Sequence, residues 1–505
     1  MKPVKEVEKD RISYYKNSNI NTVHRSSLLI PRLEGHQTYI SLVNHYFIKR
    51  NYKNVILKLT AYDQFGMSSD SISYELKIKK VYSYNLEIIF GDKYNSYQAE
   101  FFSSENLFIP YPAVMINHVG KDSINTVHAY NRILNDSRES EKINIIHSRE
   151  ASIDVMISKE IDTFFILHTG ILPLSNQKLE IELKSALTDL NFNSRTTINM
   201  PKMSIRKYYL SDLISNKVKE KINKKNITLK IKQPHQELFY GRLLAGIEKK
   251  DSLSFSANHS FYDNSNYEEY FSNGESYKTF PLLKNYKNII RIYPIMSPGE
   301  GTISVYLNYE FKYNKNSIKV KNYPFNTKIP LEIDINELKS ELSDSNQLSS
   351  FTLIYKSNYK YEVPTRFNMQ LVYGSIENTE IDASINQSLY NDELFLPKNK
   401  KSFAWCQLIN DKRYESTLSI CFIDNIDVKR DSIKKIKLDF YDENGHISES
   451  HHNLNPLDTL VIENKIFESS SKFIWVTAKS DCPQLHMFSI HTNKFSKYTS
   501  GEHNF

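Results

Sequence analysis

Cysteine is nearly absent from this chain: three occur in 505 residues, at positions 406, 421 and 482, and none forms a Cys-x-x-Cys pair. So sparse and odd a set excludes a disulfide-stapled fold and fits a reducing compartment. Glycine is almost as scarce, with 13 in the whole chain. That is few for an enzyme that cradles phosphate with bare backbone, and the phosphate loop, G-x-S-x-G elbow, H-E-x-x-H pair and EF-hand loop are all missing. The densest glycine spot, "SPGEGT" at Ser297–Thr302, reads as a turn before a strand and lacks the helix a phosphate loop needs.

Long hydrophobic runs are missing too. The most apolar window, "TFFILHTGILPL" at Thr163–Leu174, is too short to span a bilayer and holds Gly170 and Pro173. It reads as two buried strands around a turn. The N-terminal stretch is charged and has no apolar h-region, so no conventional secretory signal is present. These absences predict a chain with no transmembrane segment, located in the cytoplasm or exported by a route that leaves no such signal.

Aromatics are abundant, with 34 Tyr and 27 Phe, and hydrophobic residues make up 40% of the chain. That supplies real cores and tilts the expectation toward strands. The formal charge of +7 is mild for 505 residues, so no specific nucleic-acid partner is expected. One basic stretch, "NKVKEKINKKNITLKIKQ" at Asn216–Gln233, has seven Lys against one Glu. It reads as a solvated helix end followed by a strand with outward lysines.

A recurring closing segment organises the whole sequence. "NTVHAYNRILND", "FSANHSFYDNS", "SINQSLYND" and the final "SGEHNF" align His128, His259, Gln387 and His503 at spacings of 131, 128 and 116 residues. About 30 residues upstream of each lies an apolar strand: "YQAEFFSS", "ITLKIKQ", "FTLIYKS" and "FIWVTAKS". Earlier still, "VILKLTAYDQFG" and "KIKLDFYDENG" share Tyr-Asp-x-x-Gly, where Asp opens a turn and Gly supplies positive φ. Leu210, Leu213, Ile214, Val218 and Ile222 fall at helical spacing and predict a short helix.

The expected fold is therefore all-β: a tandem array of four related β-sandwich units with short helical connections. They are placed at 38–136, 144–266, 276–392 and 400–505, after an extended, partly disordered arm over 1–37. The array resembles immunoglobulin-like and fibronectin-like domains in outline, without the Cys…Trp…Cys hallmark of antibody domains. That resemblance is architectural and implies no function.

The closing segment supplies the candidate binding residues: His128, Tyr130, His259, Tyr262, Asp263 and His503. Position at the end of each unit favours a structural role, with His bonded across a sheet edge and aromatics capping the core. Six of the fifteen His lie in the last unit, three of them in "GHISESHH". On a regular strand His446 and His452 would share one face and His451 the other, so they read as surface histidines and no metal site is expected. No cofactor is expected either. Cys406 and Cys421 lie on apolar runs and read as buried packing residues.

No reaction is specified by any of these motifs, and the balance leans against catalysis. The reading is a non-catalytic binding or scaffold protein presenting loops to a macromolecular partner, protein or polysaccharide. Two alternatives stand beside it: an enzyme or accessory factor acting on surface polysaccharide, and a self-assembling component of a particle or cell surface. Oligomeric state is left open.

Overall fold

A computed structural model describes residues 24–103, 112–134, 150–185, 188–222, 227–261, 271–272, 275–292, 301–310, 315–325, 330–340, 348–358, 363–364, 366–377, 381–391, 402–422, 433–455, 457–463, 467–482 and 485–505. Strands dominate, in antiparallel sheets, and the protein is an all-β assembly of sandwiches. The described residues fall into two compact units, one within 11–264 and one within 265–505.

In the unit within 11–264, a first sandwich runs through β1 (His24–Pro31), β2 (Gln37–Val43), β3 (Val55–Tyr62), β4 (Ile72–Glu75), β5 (Val81–Asn85), β6 (Ser96–Ser103), β7 (Met115–Val119) and β8 (Ile124–His128). One sheet has the order β1-β6-β3-β4 and the other β5-β2-β7-β8. β9 (Asn131–Ile133) leads on to β10 (Glu150–Asp154), β11 (Ile161–His168), β12 (Leu174–Ser185), β13 (Asn191–Met200), β14 (Ile205–Tyr209), β15 (Ile227–Lys232), β16 (Phe239–Gly241), β17 (Leu244–Lys249) and β18 (Phe255–His259). Their sheets are β10-β15-β12-β13 and β14-β11-β17-β18, while β9 and β16 extend the first sheet beyond β1.

The unit within 265–505 opens with the two-residue β19 (Phe271–Ser272). A third sandwich follows in β20 (Ser276–Pro281), β21 (Tyr286–Ile292), β22 (Gly301–Glu310), β23 (Lys315–Phe325), β24 (Leu331–Asp334), β25 (Leu348–Ser357), β26 (Val363–Pro364), β27 (Arg366–Ser375) and β28 (Ala383–Asn391). Its sheets, β20-β25-β22-β23 and β24-β21-β27-β28, join through a β20–β28 pairing into one eight-stranded sheet. A fourth contains β29 (Ser402–Ile409), β30 (Tyr414–Phe422), β31 (Lys434–Asp442), β32 (Gly445–Leu454), β33 (Leu460–Glu463), β34 (Phe473–Ser480), β35 (Leu485–Asn493) and β36 (Thr499–His503), in sheets β29-β34-β31-β32 and β33-β30-β35-β36.

Setting aside the short β9, β16, β19 and β26, one connectivity describes all four runs of eight. First, sixth, third and fourth strands make one sheet; fifth, second, seventh and eighth make the other. Antibody-type domains pair their first strand with their second. Here the first pairs with the sixth, as in β1 with β6 and β29 with β34.

Local chemistry fixes the hairpins as the residues predict. Asp63 Oδ1 accepts from the Phe65 and Met67 amides at 2.9 Å each, and Gly66 turns the chain at φ 77°. Asp442 Oδ1 does the same for Asn444 and Gly445, at 2.7 and 3.0 Å. The helical spacing after β14 gives two short helices instead of one, α3 (Leu210–Leu213) and α4 (Asn216–Ile222), which follow α1 (His45–Arg50) and α2 (Leu86–Phe90). The break falls at Ile214, which is extended at φ −128°. No helix among the described residues is long and apolar enough to cross a membrane.

The arm placed over 1–37 is corrected from His24 onward. "HRSSLLIP" is β1, paired residue for residue with β6, and Leu28, Leu29 and Ile30 are fully buried. Its apolar segment is only four residues long, too short to signal a strand by pattern.

Each unit buries one sheet on both faces. Phe164 and Ile166 of β11, Leu244 of β17, and Phe255 and Ala257 of β18 belong to the first sandwich's core. Their neighbours Phe165, Leu167 and Ala245 point the other way, into the second core. That explains why β11 is continuously apolar instead of alternating. In the other unit Phe488, Ile490 and Cys421 enter the third core while Met487, Leu418 and Ile420 fill the fourth.

Candidate functional site at the seams

The closing segments sit at these doubly buried sheets. His128 ends β8 opposite Met115, His259 ends β18 opposite Leu244, Gln387 lies on β28 opposite Met369, and His503 ends β36 opposite Phe488. Every one is on the last strand of its sandwich. Tyr262 and Asp263 lie outside the described residues.

In the first unit the seam brings β8 and β18 together. Asn125 Oδ1 accepts from the Ala257 amide at 2.9 Å, a side-chain substitute for a ladder bond between two sheet edges. The rings of His128 and His259 meet edge to face, centroids 4.7 Å apart and planes at 83°. His259 is buried, its Nδ1 3.1 Å from the Ser260 carbonyl, and Arg242 Nη1 lies 2.9 Å from that nitrogen. Arg242 itself donates its amide to the Tyr130 carbonyl at 3.2 Å. The Tyr130 hydroxyl in turn meets His168 Nε2 at 2.8 Å. Burial pulls the His168 imidazole down to about 3, so it is neutral there.

A second polar group at the same seam is not picked out by sequence reasoning. His36 and His118 both pack against the Phe255 ring, at 4.9 and 5.8 Å between centroids. Burial lowers both imidazoles, His118 to about 3, and the nearby Lys207 ammonium adds to the effect. Lys207 bonds the buried Glu248 carboxylate, which also accepts from the Tyr209 hydroxyl at 3.0 Å. These residues come from well-separated stretches of chain. The one sequence signal is a Glu inside the strand "LAGIEK".

In the other unit the equivalent position carries Gln387, whose Oε1 accepts from Lys278 Nζ at 2.5 Å. Lys278 has no solvent exposure, and its ammonium lies 5.4 Å from the Phe280 ring centroid. Burial pulls its pKa down to about 7, opposed by Cys421. A neutral amide acceptor suits an amine that titrates in that range. His503 is half-buried, Nδ1 2.8 Å from the Asn504 carbonyl, and its amide donates to Glu502 at 2.9 Å. All three cysteines are buried and none is in a disulfide, as packing residues should be.

The seams are largely buried, with His128 and His503 half-buried at their ends and both ring nitrogens of His118 without hydrogen-bond partners. An open concavity lies on the outer face of β10-β15-β12-β13: a shallow groove of about 570 Å³ lined by Glu180, Glu182, Arg195, Lys230 and Lys232. Glu180 pairs with Arg195 at 2.9 Å and with Lys232 at 3.9 Å. Lys230 and Lys232 are the outward lysines of the basic stretch, alternating with buried Leu229 and Ile231.

The fourth sandwich corrects the expected placement of its histidines. A register shift between Phe440 and Tyr441 sets Tyr441 opposite His446 but Phe440 opposite Ser448, so Ile447 is an extra residue in β32. That bulge reverses the alternation. His446 therefore shares the exposed face with Glu449 and His451, not with His452.

No family model matches the chain, and no curated protein matches it. Among solved structures it is similar to the β-glucuronidase of Parabacteroides merdae, at 13% identity and TM-score 0.14, over 47% of this chain and 28% of that one. It is similar also to β-glucuronidase 2 of Bacteroides uniformis, at 10% identity and TM-score 0.13, over 46% of this chain and 26% of that one. This chain thus spans little more than a quarter of the length of those proteins, and at such TM-scores the likeness says nothing about activity.

Proposed function

We propose that this chain is a non-catalytic binding or scaffold protein built from four copies of one eight-stranded sandwich, presenting outer sheet faces and loops to a macromolecular partner. The observation that carries the reading is the fate of the closing histidines. His259 is buried and engaged by His128, Arg242 and Ser260 inside the seam. The strand order common to the four runs supports the copying.

What faces solvent is a surface suited to recognition. The groove on β12, β13 and β15 sets carboxylates beside cations in adjacent rows, an arrangement that steers and registers a partner of complementary charge. It offers no aromatic platform, so a protein partner is favoured over a polysaccharide.

Cross-linking in extracts of the source cells, comparing the natural chain with a Glu180→Lys, Glu182→Lys variant, tests the reading. The expected outcome is a discrete protein adduct lost in the variant at unchanged melting temperature. Cleavage of a glycan by the purified chain would overturn it, as would adducts indifferent to the charge reversal.

A further inference from the structure

On the outer face of the hairpin β31–β32, Asp439 stands directly opposite Glu449, and Lys437 opposite His451. The bulge at Ile447 turns His446 onto the same face, where its Nε2 comes within 3.3 Å of Asp439 Oδ1. His451 Nε2 lies 3.4 Å from Glu449 Oε1. One donor atom each from Asp439, His446 and Glu449 falls within 4.8 Å of the others. Asp439 is nearly buried, its side chain only 7% exposed, while His446 and Glu449 approach it from the solvent side and His451 stands against Glu449.

We propose that this face is a divalent transition-metal site of the zinc class, with Asp439, His446 and Glu449 as ligands and His451 completing the set. Two carboxylates and two imidazoles suit a borderline cation that takes four nitrogen or oxygen ligands at about 2.0–2.2 Å. Ligands at that distance in a tetrahedron stand about 3.3–3.6 Å apart. The Asp439–His446 and Glu449–His451 separations already meet this. Bringing His451 in with the other three requires rotation of the exposed Glu449 and His451 side chains.

Lys437 defines how the site works. Its ammonium lies 3.0 Å from Asp439 and 2.6 Å from Glu449, bridging the carboxylates. A dication outcompetes it for the same oxygens, and its flexible stem lets it swing to solvent. The bound lysine therefore weakens the site and keeps it closed to monovalent ions.

Calorimetric titration of Zn²⁺ into the full chain, repeated with Co²⁺ and read by visible absorption, tests this. The expected result is one Zn²⁺ site, weakened ~10-fold or more by His446→Ala and by Glu449→Gln. Lys437→Met should tighten binding, and His446→Ala should change the Co²⁺ spectrum. Because these positions are exposed, the metal-free melting temperature should stay in place. The proposal is overturned if the natural chain binds no Zn²⁺, even should Lys437→Met do so. It is equally overturned if a His446→Ala, Glu449→Gln double variant binds as the natural chain does.

Discussion

The imidazole of His128, at the end of the first sandwich, meets that of His259, at the end of the second, edge to face at 4.7 Å. Two positions that the sequence places 131 residues apart, each closing a unit, close against each other. The contact belongs to a seam in which one sheet is buried on both faces, and each of the two units carries such a sheet, with titratable side chains buried beside it.

Lys278 is the clearest case. Its folded pKa is near 7, below the ordinary 10.5, so the unfolded chain binds more protons between those values and stability rises with pH across that window. The slope from this one group is at most about 1.4 kcal/mol per pH unit. Lys278→Met should flatten the rise between pH 7 and 10 in denaturant titrations and raise stability at pH 7. A profile unchanged by the substitution would contradict the burial argument.

His118 acts on the acid side. Its folded pKa of about 3 lies below the ordinary 6.5, so the unfolded chain binds the extra proton and stability falls as pH drops from 6.5 toward 3. Both its ring nitrogens are buried without hydrogen-bond partners. His118→Phe keeps the ring against Phe255 and removes two unsatisfied polar atoms. It should stabilise the chain by ~1 kcal/mol at pH 7 and shallow the acid limb, as read by urea unfolding at a series of pH values.

Gly246 sits where β17 pairs with β18. A Cβ there would stand 2.0 Å from the Ser256 carbonyl oxygen and 2.6 Å from the Ala257 Cα, both backbone atoms that cannot step aside. Gly246→Ala should cost ~3 kcal/mol by forcing the strands apart, with a matching loss of melting temperature.

Much of this architecture was legible in the chain. The Tyr-Asp-x-x-Gly turns and the outward lysines of β15 follow from local chemistry that tertiary packing leaves alone. Of the two buried strands read around Gly170 only β11 is one, since Ile171 and Leu172 are exposed and β12 begins at Leu174. What was not legible depends on partners distant in sequence. Whether Lys278 is buried, or Lys207 meets Glu248, is decided by strands from different parts of a unit. The face on which His446 lies turns on a single extra residue, Ile447, and a period-two argument cannot see a bulge. β1 was missed because "LLIP" is short and gains its meaning only beside β6.

The most direct test of the account is His259→Ala, followed by two readouts on one sample: thermal unfolding and cross-linking to the cellular partner. The seam reading predicts a loss of ~1–3 kcal/mol, because Arg242 and the Ser260 carbonyl lose a buried partner, with adduct formation by the folded fraction unchanged. Unaltered stability together with loss of the adduct would make the histidine a binding residue and contradict the account.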